Sequence, residues 1–478
     1  MALAHASPQA IGPLQPLLQA EGFSGRLQAL NLLDPQQIQP WGGLFLPDPS
    51  IGRWAQWRLP AGPAAFSLIG QIHTLSTPAA LALLQDLVTE PVEPWDALIC
   101  SSSAGRTVVE AILEDRQQHL LARSGGSSRQ LASHRPQLPV IPLPLPVTQM
   151  VAALPARAEA RQALGLAPHA HVVVWLGRLS ALTKADPHPL YALLERVGRQ
   201  LQAPLVLIEC GPDDTAPQVE AFERLRALCG AVRFVRLGGQ EPATETEKLQ
   251  ALAAADLACS LVDNAQETFG LSVAEAMAAG LPVVASDWDG YRDLVRDGID
   301  GFLVPSRWAA SAAQVSVALG WQQLTGLQSF PAIAGALAQL VQLEMAQAEA
   351  ALLGLLRDPA LGSAMGRAGQ RRALDCFDTD QVMHRYEQLF AELAERRAAA
   401  PVAAHQPHPS PLHLDPVRAF AGFASHPPLP LAEAAPGALD TLPEPLRQAR
   451  ALLWDLLLQT VPELGRRQLR ADLLRKHQ

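Results

Sequence analysis

The sequence predicts an α/β protein built from two doubly wound lobes, and three observations carry that prediction. Unbroken apolar runs recur along the chain, as in "HVVVWLG" (171–177) and "PLVLIECG" (204–211); runs of this kind belong to strands covered on both faces. Long helical patterns separate them, which is the rhythm of parallel sheets with crossover helices. At 478 residues, 49% hydrophobic and 17% charged, the chain exceeds one core and holds enough apolar material for two.

In order along the chain, strands of a first lobe (residues 1–150) are expected at 43–47, 65–73, 96–102 and 138–145, with helical stretches such as "PAALALLQDLV" between them. The start of this lobe is atypical, because the first 40 residues show no strand followed by a glycine-rich loop. A second lobe (151–399) is expected to place strands at 171–177, 204–211, 232–238, 256–262, 281–286 and 301–305. Its rhythm is interrupted near 306–337, which reads as an insertion. Proline and histidine break all periodicity over 400–437, a linker composition, and residues 438–478 read as a helical extension.

The formal net charge of -9 argues against a surface built to neutralise nucleic-acid phosphates, though an acidic average leaves room for one basic pocket. Five scattered cysteines form no C-x-x-C pair, so neither a disulfide framework nor a zinc cluster is indicated. A reducing compartment, the cytoplasm, is the expected location. No basic start leads into an apolar core, and no run of about 18 apolar residues is free of charge and proline, so at most peripheral membrane contact is expected.

Chemistry concentrates in two places. In "ETFGLSVAEAMAAGLPVVAS" (267–286), Gly270 permits a close backbone approach, and the helix that follows ends at Gly280 and Pro282. Free N–H groups near Gly270, Leu271 and Ser272 make an anion site together with the helix dipole. A carboxylate accepts two hydroxyl hydrogen bonds at once, so Glu275 suits a ribose diol and Glu267 the hydroxyls of a sugar held farther out. In "WLGRLSALTKADPHPL", Arg178 and Lys184 follow a buried strand, where two cations could neutralise a diphosphate. Both stretches fall at the carboxyl edge of one sheet, the place where ligands bind such folds. "DWD" (287–289) copies a metal-holding pattern but reads as a turn before Gly290, and His405, His408 and His413 lack a fixed scaffold for a metal.

With "GRLSALTK", "GPDD" (211–214), "ETFGLSVAEAMAAGLPVVASDWDGYRDLV" and "DGIDGFLVP" taken in order, residues 170–305 resemble the donor-binding lobe of the retaining, GT-B-fold glycosyltransferases of the family-four group. The resemblance implies two Rossmann-like lobes, a nucleotide-diphosphate sugar as donor and no metal or other cofactor. It implies that Arg178 and Lys184 stabilise the departing diphosphate and that Glu275 holds the ribose. Glu267, with the backbone of Phe269, Gly270 and Leu271, would face the donor sugar and phosphates, with Gly211 and Ser272 beside them. "LIGQIHTLST" and "WDALICSSSAGRTVVEAI" are similar to acceptor-lobe strands, which puts His73 at the interdomain cleft. Pro144 stands where the family commonly has glycine. The acceptor implied is a sugar, lipid or small molecule of unidentified structure. "LLRDPALGSAMGRAGQRRALDCFDTDQVMHRYEQLF" resembles the closing helices, the last of which crosses back to the first lobe. A binding or scaffold protein with impaired catalysis, and a sugar-nucleotide epimerase, are the other readings of the same fold.

Overall fold

The computed structural model describes residues 2–5, 12–20, 22–25, 27–32, 34–125, 135–408 and 419–425, with positions 444, 445 and 448. The rest of the helical extension expected over 438–478, and His413, lie outside the described residues. The chain divides into two compact units, residues 41–408 and residues 1–40 with 409–478.

In the smaller unit, strand β1 (Ala2–His5) pairs in parallel with β2 (Gln28–Asn31), and the helix Leu14–Ala20 between them buries none of its residues. Sequence reading places no strand here because "ALAH" and "QALN" are short and carry no β-branched or aromatic residue.

The larger unit opens with a parallel sheet in the order β3 (Gly43–Phe45), β4 (Ser67–Gln71), β5 (Ala97–Ile99), with β4 central and buried throughout. Helix Ile51–Arg58 delivers Arg58 to a fully buried ion pair with Asp96 at 2.6 Å. Asp96 also accepts from the N–H of Leu68 at 2.8 Å, so the pair ties helix to sheet. Thr77 caps the helix Pro78–Asp86, and Ser102 caps the helix Ser103–Ser124.

The expected strand at 138–145 is not a strand. The segment runs beside β5 through single bridges, Ala97 with Gln137 and Cys100 with Val140. Pro139, Pro142 and Pro144 remove the amide donors that a ladder needs, so only alternate contacts such as Ile141 N–H to Cys100 O, 3.0 Å, survive.

The second lobe is a six-stranded, all-parallel sheet. Its strands are β6 (His171–Leu176), β7 (Leu205–Cys210), β8 (Val232–Leu237), β9 (Leu257–Ser260), β10 (Val283–Ser286) and β11 (Gly301–Val304), in the order β11-β10-β9-β6-β7-β8. The six strands stand where the sequence places them, although the edge strand β8 carries Arg233 and Arg236 and is only half-buried. The chain winds outward from β6 through β7 to β8, then returns to the other side of β6 at β9. That reversal leaves a crevice at the carboxyl ends of β6 and β9. Beneath it, Trp175 stacks on Phe222 at 6.3 Å, and the buried Glu209 takes the Tyr191 hydroxyl and the Arg226 guanidinium, the latter at 2.8 Å.

Helix Pro359–Cys376 is followed by helix Thr379–Ala398, which crosses back to the first lobe as the resemblance implies. Val382, Tyr386, Leu389 and Leu393 form one core cluster with Ile69, Ala97, Ile99 and Ile141. Over 306–343 the chain leaves the sheet and returns to it, because β12 (Ser306–Trp308) pairs antiparallel with β13 (Val341–Leu343). Between them, helix Ala312–Leu324 buries nothing, while helix Phe330–Ala338 buries Ile333, Ala334, Gly335 and Ala338.

Candidate active site

The loop after β6 and the loop after β9 meet at the crevice, and the charges predicted on each meet with them. Lys184 and Glu267, 83 positions apart, form an ion pair with Nζ 2.6 Å from Oε2. Burial alone would raise the Glu267 carboxyl; Lys184 and the N–H groups of Phe269 and Thr268 outweigh it and hold the carboxyl below its ordinary range. Burial would likewise lower Lys184, and the neighbouring Tyr291 and Glu267 raise it instead. Both side chains are therefore charged at neutral pH. Arg178 is exposed and close enough to Lys184 for its charge to oppose that rise, so the two predicted cations share one corner.

Backbone geometry opens the same corner. Gly270 caps the helix Leu271–Ala278 with φ 106°, and a Cβ there would stand 2.4 Å from the Tyr291 ring, so only glycine fits. Gly211, after β7, has φ 153°, and a Cβ on it would stand 2.1 Å from the Gly177 carbonyl oxygen. Gly177, φ 136°, and Gly211 let the loops after β6 and β7 lie back to back, tied by Leu179 N–H to Pro212 O at 2.8 Å. Arg236 braces the second loop from below, donating to Gly211 O at 2.5 Å and to Asp213 at 2.8 Å.

The other predicted residues are placed as follows. Glu275 lies on the helix after Gly270 and pairs with Lys248 at 2.8 Å. Leu271 is exposed at the helix start, and the Ser272 hydroxyl is buried near Tyr291. The Phe269 ring packs edge-on against Phe377 at 6.1 Å in the core, which leaves only its backbone for the loop. His73 is exposed at the first-lobe side, and its carbonyl accepts from the Thr268 hydroxyl at 2.8 Å. Ser101 donates to Thr268 O at 3.2 Å, so first-lobe groups reach the Glu267 loop from two positions.

Two groups were missed in the sequence. Lys248 takes the Glu275 carboxylate; the capping box formed by Thr244 and Glu247 starts its helix and could have fixed where it points. Asp289, read only as a turn former, adopts φ 47° and lines a cavity of about 540 Å³ between the lobes together with Glu267. Burial first, and then the Glu267 charge, push the Asp289 carboxyl up to about 7. Among the described residues, no group of three or more His, Cys, Asp or Glu side chains is placed to hold a metal ion.

Fold and loops together define a class: a two-lobed α/β protein whose second sheet carries a cation-bearing, glycine-opened crevice at its switch point. Residues 170–319 match the family described as Glycosyl transferases group 1. Over 275 residues it is 33% identical to the D-inositol 3-phosphate glycosyltransferase of Nocardia farcinica, an alignment covering 55% of this chain and 54% of that protein. The enzyme of the same name from Actinosynnema mirum is 34% identical over 177 residues, 35% of this chain and 41% of that one. The phosphatidyl-myo-inositol mannosyltransferase of Mycobacterium leprae is 43% identical over 98 residues, 20% and 25% of the two chains. The chain thus spans about half the length, or less, of these curated relatives.

Proposed function

We propose that the protein is a glycosyltransferase that moves a sugar from a nucleotide-diphosphate sugar to an acceptor hydroxyl, retaining the anomeric configuration and using its own cations in place of a metal. The observation that carries this is the Lys184–Glu267 pair at the switch point, with Arg178 beside it. A diphosphate entering the crevice would meet Lys184, Arg178 and the N–H groups at the helix start after Gly270. As the anomeric bond breaks, its electron pair leaves with the diphosphate and positive charge builds on the sugar ring. Positive potential fixed where that negative charge develops lowers the barrier rather than merely binding the donor. The acceptor oxygen bonds to the anomeric carbon, and the hydroxyl proton passes to the departing diphosphate.

Glu267 holds Lys184 in position and accepts hydroxyls of the donor sugar. Glu275, paired with Lys248, accepts the two ribose hydroxyls. The names of the curated relatives point to a cyclitol hydroxyl as one kind of acceptor for this fold. His73 stands on the acceptor side of the same loop.

Release of nucleoside diphosphate from a panel of sugar nucleotides, with and without chelator, tests the proposal, and the anomer formed is read by NMR. Turnover that survives chelation is expected, and Lys184→Ala should slow it by about two orders of magnitude, the usual effect of removing one charge stabiliser. Full activity in Lys184→Ala would remove the site assignment; inversion at the anomeric carbon would remove retention.

A further inference from the structure

The interlobe cavity is unlike the crevice it adjoins. Three acids line it, Glu267, Asp287 and Asp289; the first and last, taken as its floor, are faced by apolar side chains: Leu75 and Val108 from the first lobe, Trp288 and Trp308 from the second. Trp288 and Trp308 meet edge to face at 5.3 Å. The Trp288 indole N–H is already spent on the Asn264 carbonyl at 3.1 Å, so this residue offers a ligand only its ring. Both arginines on the wall are already engaged in exposed ion pairs, Arg292 with Asp287 at 3.1 Å and Arg307 with Glu344. A space of about 540 Å³ walled by two indoles, Leu75 and Val108, with both lining arginines already paired to acids, favours a ligand with an apolar body over a phosphorylated or wholly polar one.

The apolar surface continues past the mouth. From Trp308, which is 50% exposed, to Leu343 the chain carries no Asp, Glu, Lys, Arg or His. Within that stretch the helix Ala312–Leu324 exposes Val315, Val317, Trp321 and Leu324, with Trp321 63% exposed, and Leu327 follows. Gln323 from this helix donates to the Ser76 carbonyl at 2.8 Å, and Ser76 lines the cavity. Exposed apolar surface on this scale, contiguous with a cavity, marks a binding face.

We propose that the cavity receives an acceptor whose reacting hydroxyl is carried on an apolar body, and that a long alkyl chain on that body lies along the uncharged helix. This rests on the glycosyltransferase reading and adds the acceptor class. The hydroxyl end reaches the floor, where Glu267 borders the donor crevice, and the two indoles cover the body. An aryl group would fill the cavity but would leave the helix without an occupant.

The test compares glucose, an inositol phosphate, p-nitrophenyl glucoside, octyl glucoside and dodecyl maltoside, below their micelle concentrations, as ligands of the full chain. Binding is read first without donor, by quenching of tryptophan fluorescence, and then as stimulation of sugar-nucleotide turnover. Octyl glucoside should bind at least about tenfold better than glucose, the discrimination expected of an apolar pocket. Trp308→Ala should reduce that preference to about threefold or less, since it removes one ring of the pair. Trp321→Ser with Val317→Ser should abolish the advantage of the dodecyl over the octyl compound. Equal binding of glucose or the inositol phosphate, or a preference unchanged in Trp308→Ala, would overturn the acceptor class. A p-nitrophenyl preference with no gain from chain length would overturn the helix as its extension. Absence of turnover with every sugar nucleotide would sink the transferase reading alone, because the donor-free binding measurement stands apart from it.

Discussion

Replacing Asp263 by Asn should change how stability depends on pH. Asp263 follows β9 by three residues, is 5% exposed, and has Oδ1 buried with no hydrogen-bond partner. Burial, then repulsion from Asp186, push its carboxyl from 3.8 up to about 7. The folded state therefore holds the proton more tightly than the unfolded chain. Its contribution is fully present below pH 3.8 and is lost as the pH rises towards 7, where the buried group ionises. A rise of about 3 units corresponds to roughly 4 kcal/mol, taken as an upper bound, of which about 3 kcal/mol falls between pH 5 and pH 8. Asn keeps the shape and carries no titrating proton. Urea midpoints measured from pH 5 to pH 8 should show the Asp263→Asn protein gaining on the wild type steadily as pH rises. Curves that run parallel across the range would mean that Asp263 ionises normally in the folded protein, and the argument would fail.

Other substitutions probe the same frame. Gly270→Ala places a methyl group 2.4 Å from the Tyr291 ring at φ 106° and should cost about 2–4 kcal/mol in a denaturant melt; an unchanged melt would deny the strained turn. Arg58→Met leaves Asp96 charged and unpaired in the first-lobe core, for about 3–5 kcal/mol, and adding Asp96→Asn should recover part of that loss. Glu275→Ala should weaken nucleotide binding by about tenfold, as loss of hydrogen bonds to a charged acceptor does, and calorimetry with nucleoside diphosphate alone would detect it. Retained affinity in that variant would place the ribose elsewhere.

How much could be read in advance depended on what each element needed. The second lobe was legible because strands covered on both faces demand unbroken apolar runs such as "HVVVWL"; the edge strand β8, "VRFVRL", is half-buried and admits Arg233 and Arg236. Residues 138–145 satisfied the same apolar criterion and failed on proline, since hydrophobicity says nothing about amide donors. β1 and β2 fell below any pattern because four residues without β-branching leave no period to detect. In the site, residue types at the sheet's carboxyl edge could be named, but their pairing could not. Whether Lys184 meets Glu267 depends on β9 returning beside β6, and sequence spacing does not encode strand order. Lys248 was invisible for a related reason: its partner lies 27 positions away on another helix. Phe269 shows the converse, a residue named within the motif whose ring belongs to the core.

The strand reversal also explains why hydrogen bonds from other elements gather on these loops. Thr268, next to Glu267, bonds to the His73 carbonyl and to the Ser101 hydroxyl, while the backbone N–H of Ser103 donates to Asp293. From the opposite side, Asn264 donates to the carbonyls of Leu182 and Ala334, at 2.9 and 3.4 Å, joining both crevice loops to the inserted helix Phe330–Ala338. The loop that carries Glu267 is thus held by the first lobe, by the β6 loop and by the insertion at once. A loop fixed on three sides keeps its carboxylate aimed before any ligand arrives, which is the preorganisation that stabilising a charged transition state requires. The same arrangement makes the insertion part of the site, because a change in its packing against Leu182 is transmitted through one residue, Asn264, to the loop that carries Glu267.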